Sequence, residues 1–137
     1  MVQHSEIVEA TFEKVWEQLL YKIENPGDFV PGVSDVEIIE KKENYVIRQM
    51  KITQESGTSI LKEKITFIPY KVRFLLLEHP SIEGYVDNDI ILISENETEM
   101  TFTINWKNKA NKIEINNFEM VKNAVIKTKN FIEKINC

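Results

Sequence analysis

Two charged residues, Arg48 and Glu63, occupy strand positions that should face a protein core. Period-two alternation groups each of them with apolar neighbours: Val46, Met50 and Ile52 in one segment, and Leu61, Ile65 and Phe67 in the other. A buried carboxylate without a partner is strongly unfavourable, so we expect the two residues to pair. Such a pair could orient a carbonyl, hydroxyl or carboxylate group of a ligand, or be a purely structural cross-strand contact.

A third polar residue, Asn88, shares a predicted strand face with Val86, Ile90 and Leu92. Its amide could join the same ligand site or form a structural hydrogen bond. Asp87 and Asp89 flank it and alternate to the opposite face, where we expect them to lie in solvent. Because this alternation separates the three oxygen-bearing side chains, we predict no metal site here.

The remaining reactive side chains form no recognised catalytic pattern. His4 and His79 lack metal-binding spacing, and His79, at a predicted turn before Pro80, is expected to be exposed. The glycines form no phosphate loop, and the serines form no GxSxG elbow. We therefore assign no catalytic residue, metal or cofactor, and whether the protein is an enzyme stays open, with the balance against it.

Composition narrows the class of protein. A chain of 137 residues with 42% hydrophobic and 28% charged residues is typical of one globular domain, which we assign to residues 1–137. The net charge of −5 disfavours nucleic acid and anionic membranes as partners. The single cysteine, Cys137, and the absence of a signal or membrane-spanning pattern predict a cytoplasmic protein without membrane insertion. The oligomeric state is left open.

The elements that must position these residues follow the order strand, helix, short helix, six strands and long helix. Thr11 is placed to cap the first helix, which Pro26 ends. Short turns separate the six predicted strands and imply an antiparallel meander: residues 36–42, 45–53, 59–68, 72–77, 82–94 and 100–106. The first strand is predicted within residues 2–9.

The final helix, residues 118–135, carries an apolar stripe through Phe118, Val121 and Val125. Its start is open between residues 110 and 117. We expect this stripe to face Leu61, Phe67, Phe102 and Trp106. A helix that closes an antiparallel sheet can enclose a cavity. The predicted ligand-binding residues are therefore Arg48, Glu63, Met50, Phe74, Asn88, Phe102, Trp106, Phe118, Val121 and Val125.

Several segments together resemble the START-like superfamily, also called SRPBCC or the pollen-allergen fold, and its AtaL-like branch in particular. The resemblance spans nearly the whole chain and is carried by residues 15–20, 25–31 and 68–74, with Arg48, Glu63 and Asn88. It implies an α+β helix-grip fold, in which about seven antiparallel strands wrap around the C-terminal helix and leave a deep apolar cavity. Members of the superfamily bind lipids, sterols, plant hormones and polyketides; some are cyclases or aromatases, and others regulate chaperones.

The leading hypothesis is a protein that binds a small hydrophobic or amphipathic molecule between sheet and C-terminal helix. The first alternative is a cofactor-independent cyclase or dehydratase acting on a polyketide-like or lipid-like substrate, with Glu63 or a histidine as acid or base. The second is a protein–protein module such as a chaperone regulator.

Overall fold

A computed structural model describes residues 1–135. The helices are α1 (Phe12–Glu24), a single 3₁₀ turn (Pro26–Asp28) and α2 (Phe118–Ile135). The strands are β1 (Val2–Val8), β2 (Val33–Lys41), β3 (Tyr45–Gln54), β4 (Gly57–Ile68), β5 (Lys71–Glu78), β6 (Ile82–Ser94), β7 (Glu97–Asn108) and β8 (Glu114–Ile115). Cys137 lies outside the described residues.

The strands form one curved antiparallel sheet in the order β1-β7-β6-β5-β4-β3-β2, and the two-residue β8 pairs with β7. The predicted meander from β2 to β7 is confirmed, because each of these strands pairs with the next along the chain. With the long C-terminal helix, this is the predicted α+β helix-grip fold. Neither described helix is long and apolar enough to cross a membrane.

Helix α1 begins and ends where its capping residues require. Thr11 Oγ1 accepts a hydrogen bond from the backbone N–H of Lys14 at 3.2 Å, which satisfies one free donor of the first turn. At the other end, the Asn25 side chain donates to the carbonyl of Tyr21 at 3.0 Å, and Pro26 then prevents continuation of the helix. The buried face carries Val15, Leu19 and Ile23, so α1 is anchored on the core.

Helix α2 lies over one side of the sheet, against β1 and β7, and also contacts α1. Val121 and Val125 are fully buried in the core, as their spacing predicted, and Ile132 is buried with them. The expectation that Phe118 belongs to this buried stripe is wrong: its side chain is 44% exposed at the first position of the helix. Because α2 packs mainly against β1 and β7, Leu61 of β4 lines a cavity instead, while Phe67 packs against the core.

The outer face of β6 also departs from expectation. Asp87 was predicted to lie in solvent, but it is only 6% exposed. Arg73, its partner in the register on β5, binds both carboxylate oxygens: Nε to Oδ1 at 2.8 Å and Nη2 to Oδ2 at 2.9 Å. The guanidinium of Arg73 also stacks on Tyr85, with Arg73 Cζ 3.9 Å from the centroid of the tyrosine ring. A bidentate arginine therefore covers the aspartate on a face that would otherwise be solvated.

A candidate ligand cavity

A cavity of about 400 Å³ lies between the inner face of the sheet and the two helices. Alternating residues of β3 to β7 form most of its wall, and α1, α2 and the connecting segments supply the rest. Apolar side chains predominate: Pro26, Val30, Met50, Ile52, Leu61, Phe74, Leu76, Ile82, Val86, Phe102, Ile104, Trp106, Ile115, Met120 and Ala124. The polar side chains in the wall are Lys22, Arg48, Gln54, Ser59, Glu63, His79, Asn88 and Asn117.

The predicted pair of Arg48 and Glu63 forms in this wall. The two residues face each other across β3 and β4, and Arg48 Nη2 donates to Glu63 Oε1 at 2.6 Å. Arg48 Nη1 donates to the backbone carbonyl of Ile23, in the last turn of α1, at 2.7 Å. Both side chains are buried, with 3% and 7% of their surface exposed. The guanidinium therefore joins three elements at the edge of the cavity.

Lys22, which the sequence interpretation did not single out, brings a second cation into the same wall. Its Nζ donates to Asn88 Oδ1 at 2.8 Å and lies 4.2 Å from the ring centroid of Phe102 and 5.3 Å from that of Phe74. The residue as a whole is half-buried, but burial of its amine, and then the positive charge of Arg48, lower the pKa of Lys22 to about 7, while the charge of Glu63 opposes this shift. This amine consequently titrates near neutral pH.

The polar part of the wall is rich in hydrogen-bond donors. Arg48 Nε, Asn88 Nδ2 and Trp106 Nε1 are all buried and have no hydrogen-bond partner among the described residues. A buried donor left without an acceptor costs about 1–3 kcal/mol, so native proteins rarely keep several of them together. All three residues that carry these donors belong to the cavity wall.

His79 was expected to be exposed, but it is partly buried and lines the cavity. Its Nδ1 accepts hydrogen bonds from the backbone N–H groups of Ser81 and Ile82, each at 3.0 Å. These two bonds require an unprotonated Nδ1, so the neutral ring carries its proton on Nε2. Burial, and then the nearby charge of Lys109, lower the pKa of His79 and favour this neutral form. Neutral His79 can therefore donate a hydrogen bond only from its Nε2.

Seven of the ten predicted ligand-binding residues meet around the cavity: Arg48, Met50, Glu63, Phe74, Asn88, Phe102 and Trp106. The other three, all on α2, do not line it. Val121 and Val125 are fully buried in the core, and Phe118 is largely exposed. Instead, α2 presents Met120 and Ala124 to the cavity. Whether any of these residues contacts a ligand stays a prediction.

Lys22 could have been found from its spacing, because it lies three residues after Leu19 and seven after Val15 on the buried face of α1. Its position in the last turn, where a lysine complements the helix dipole in solvent, hid that signal. No group of three or more His, Cys, Asp and Glu side chains within residues 1–135 is arranged to hold a metal ion.

Comparison with known families places this site in context. The sequence model of the family described as "AtaL: Acetylaranotin biosynthesis cluster protein L" matches residues 3–136. The chain belongs to the AtaL family. A comparison with curated protein sequences found no significant match.

Solved structures similar to this AtaL family member share its fold at low sequence identity. The Zhui aromatase/cyclase from Streptomyces sp. R1128 superposes with a TM-score of 0.81 at 15% identity, over 98% of this chain and 94% of its own. A START superfamily protein from Mycobacterium smegmatis gives 0.74 at 9% identity, over 97% of both chains. Ara h 8.0201 gives 0.64 at 10% identity, over 96% of both. The resemblance to the START-like superfamily is confirmed at the level of the fold.

Proposed function

We propose that this protein binds a small, mostly apolar molecule that carries hydrogen-bond-accepting oxygens, in the cavity between the sheet and α2. The volume of about 400 Å³ falls within the roughly 300–1,000 Å³ of small-molecule sites. An apolar wall with a few convergent polar groups is the usual composition of such sites. Membership of the AtaL family and the fold shared with an aromatase/cyclase support the same proposal.

The observation that carries the proposal is the excess of donors over acceptors in the wall. Arg48 Nε, Asn88 Nδ2 and Trp106 Nε1 lack acceptors, while the one carboxylate, Glu63, already accepts from Arg48. A ligand with carbonyl, enolate, phenolate or carboxylate oxygens would satisfy these donors. A ligand whose polar groups only donate would leave them unpaired and bind poorly.

A substitution that fills the cavity tests the proposal. Ala124 lines the cavity from α2, whereas the adjacent Asn123 is exposed. We expect Ala124→Phe to abolish binding of an aromatic ketone or phenol, measured by quenching of tryptophan fluorescence and by native mass spectrometry. Asn123→Phe, which adds the same ring outside the cavity, should bind like the unmodified protein. Equal binding by both variants would contradict the proposed site.

A second candidate, a cofactor-independent cyclase or dehydratase, is favoured by the titratable groups in the same wall. Lys22 has its pKa near neutral, and His79 is held in one neutral tautomer, so both are suited to proton transfer. Incubation with a β-polyketone and analysis of products by mass spectrometry would test this. Turnover that His79→Gln and Lys22→Met both lose would support an enzyme, and intact substrate after prolonged incubation would favour binding alone.

A further inference from the structure

We propose that Lys22 is a nucleophile that forms an imine with an aldehyde or ketone group of a molecule held in the cavity. This rests on the proposed binding function and adds a covalent step to it. It would make the protein a carrier, or a catalyst, for reactive carbonyl compounds.

The surroundings of Lys22 Nζ are unusual for a lysine. Its single hydrogen-bond acceptor among the described residues is the neutral amide of Asn88, and it forms no ion pair there. Glu63, the carboxylate of this wall, already accepts a hydrogen bond at its Oε1 from Arg48 Nη2 at 2.6 Å. The ammonium form therefore has no dedicated counter-ion, so burial favours the neutral amine.

Charged and aromatic residues of four strands, β3, β4, β5 and β7, act on the protonation of this amine. From β3, the charge of Arg48 opposes protonation of Lys22; from β4, Glu63 favours it. The aromatic rings of Phe74 and Phe102 stabilise the cation, but such contacts are worth less than the burial of an unpaired charge costs. The net result is a pKa of about 7.

The reaction needs only the amine and the carbonyl compound. The lone pair of Nζ attacks the carbonyl carbon, the C–N bond forms, and the C=O π electrons move to oxygen. One proton passes from nitrogen to that oxygen and gives a carbinolamine. The C–O bond then breaks, the nitrogen lone pair forms C=N, the remaining N–H proton leaves, and one water is released. No redox change occurs.

Asn88 is placed to assist this step. Its Oδ1 accepts from Lys22 Nζ at 2.8 Å, and the Nδ2 of the same amide is buried without a partner. A carbonyl oxygen hydrogen-bonded to Nδ2 would put its carbon beside the amine. One amide thus orients the nucleophile through its oxygen and polarises the electrophile through its nitrogen.

Reductive trapping tests the proposal on the intact protein. 2-Naphthaldehyde is added at pH 7 with sodium cyanoborohydride, which reduces the imine to a stable secondary amine, and adducts are located by peptide mass mapping. At this pH about half of Lys22 is neutral, against roughly 1 in 2,500 for an ordinary lysine. Intrinsic reactivity falls with pKa and removes part of this advantage. We expect labelling at Lys22 about tenfold or more faster than at any other lysine.

Three variants separate nucleophilicity from structure. Lys22→Met should lose the fast adduct, and Lys127→Met, at an exposed position of α2, should keep it. Asn88→Asp places a carboxylate against the amine, restores a high pKa and should slow labelling at Lys22 about tenfold at pH 7. Circular dichroism checks that each variant is folded.

Labelling spread evenly over the lysines would overturn the inference. Binding of the non-reactive 2-naphthalenemethanol, measured on the same samples, keeps that failure distinct from failure of the proposed function. Retained alcohol binding with scattered labelling would leave the cavity as a non-covalent site. Loss of both would remove the two proposals together.

Discussion

Replacing Glu63 by glutamine perturbs the buried pair with little change of shape. The carboxylate accepts from Arg48 Nη2 at 2.6 Å, and both side chains are buried. With charge centres about 4 Å apart, an effective dielectric constant of about 20 gives an attraction of ~4 kcal/mol. Removal of one partner from such a pair typically costs about 3–5 kcal/mol. Glutamine keeps an acceptor oxygen, and Arg48 keeps the carbonyl of Ile23. We therefore expect a loss of about 2–4 kcal/mol in the free energy of unfolding.

Urea unfolding followed by circular dichroism and tryptophan fluorescence measures this loss. The matched control is Glu83→Gln, which removes a carboxylate from an exposed pair with Lys112 at 2.6 Å and should leave the midpoint unchanged. If the urea midpoint of Glu63→Gln equals that of Glu83→Gln, the assignment of Arg48–Glu63 as a buried, strongly coupled pair is refuted. Because Glu63 raises the pKa of Lys22, the same variant should also shift the pH profile of aldehyde labelling to lower pH.

The pH dependence of stability offers a further test, because the pKa of Lys22 is lower in the folded than in the unfolded protein. Between pH 7 and about 10.5 the unfolded state therefore binds more protons at Lys22. As pH rises across that window, the free energy of unfolding of the unmodified protein should increase by roughly 3–5 kcal/mol relative to that of Lys22→Met. Urea unfolding of both proteins at pH 7 and pH 10 measures the gain, and parallel curves would contradict it. Ile65→Ala should cost about 2–5 kcal/mol because its side chain is fully buried, while Ile60→Ala, on the exposed face of the same strand, should stay within about 0.5 kcal/mol. Gly84→Ala should lower the thermal midpoint, because Gly84 has φ +124° and an added Cβ would overlap the Asn105 carbonyl; an unchanged midpoint would count against this backbone contact.

Local periodicity was enough to predict the strands and the pairing of Arg48 with Glu63. Alternation places each residue on the inner face, and a meander with short turns brings β3 beside β4. Helix α1 was equally predictable from Thr11 and Pro26, since capping and termination depend on neighbouring residues only. These features need no knowledge of distant contacts.

The position of α2 over the sheet could not be predicted in this way. Its periodicity correctly buries Val121 and Val125, but the side of the sheet on which it rests depends on curvature accumulated over seven strands. That choice brings Met120 and Ala124 to the cavity and leaves Phe118 outside. The spacing of Lys22 places it beside the buried face of α1, but the residues that surround its amine come from β3 to β7, and the local pattern of α1 does not describe them.

The three-way contact of Arg48 has a consequence for how binding specificity can change. Its guanidinium holds the carbonyl of Ile23 in α1 and the carboxylate of Glu63 in β4, and the same side chain lines the cavity of the proposed ligand site. A substitution there alters recognition and the attachment of α1 at once. Met120 and Ala124 contribute only apolar surface from a helix anchored elsewhere. In the proposed site, substitutions at Met120 or Ala124 therefore change the shape of the cavity without removing the contact by which Arg48 holds α1.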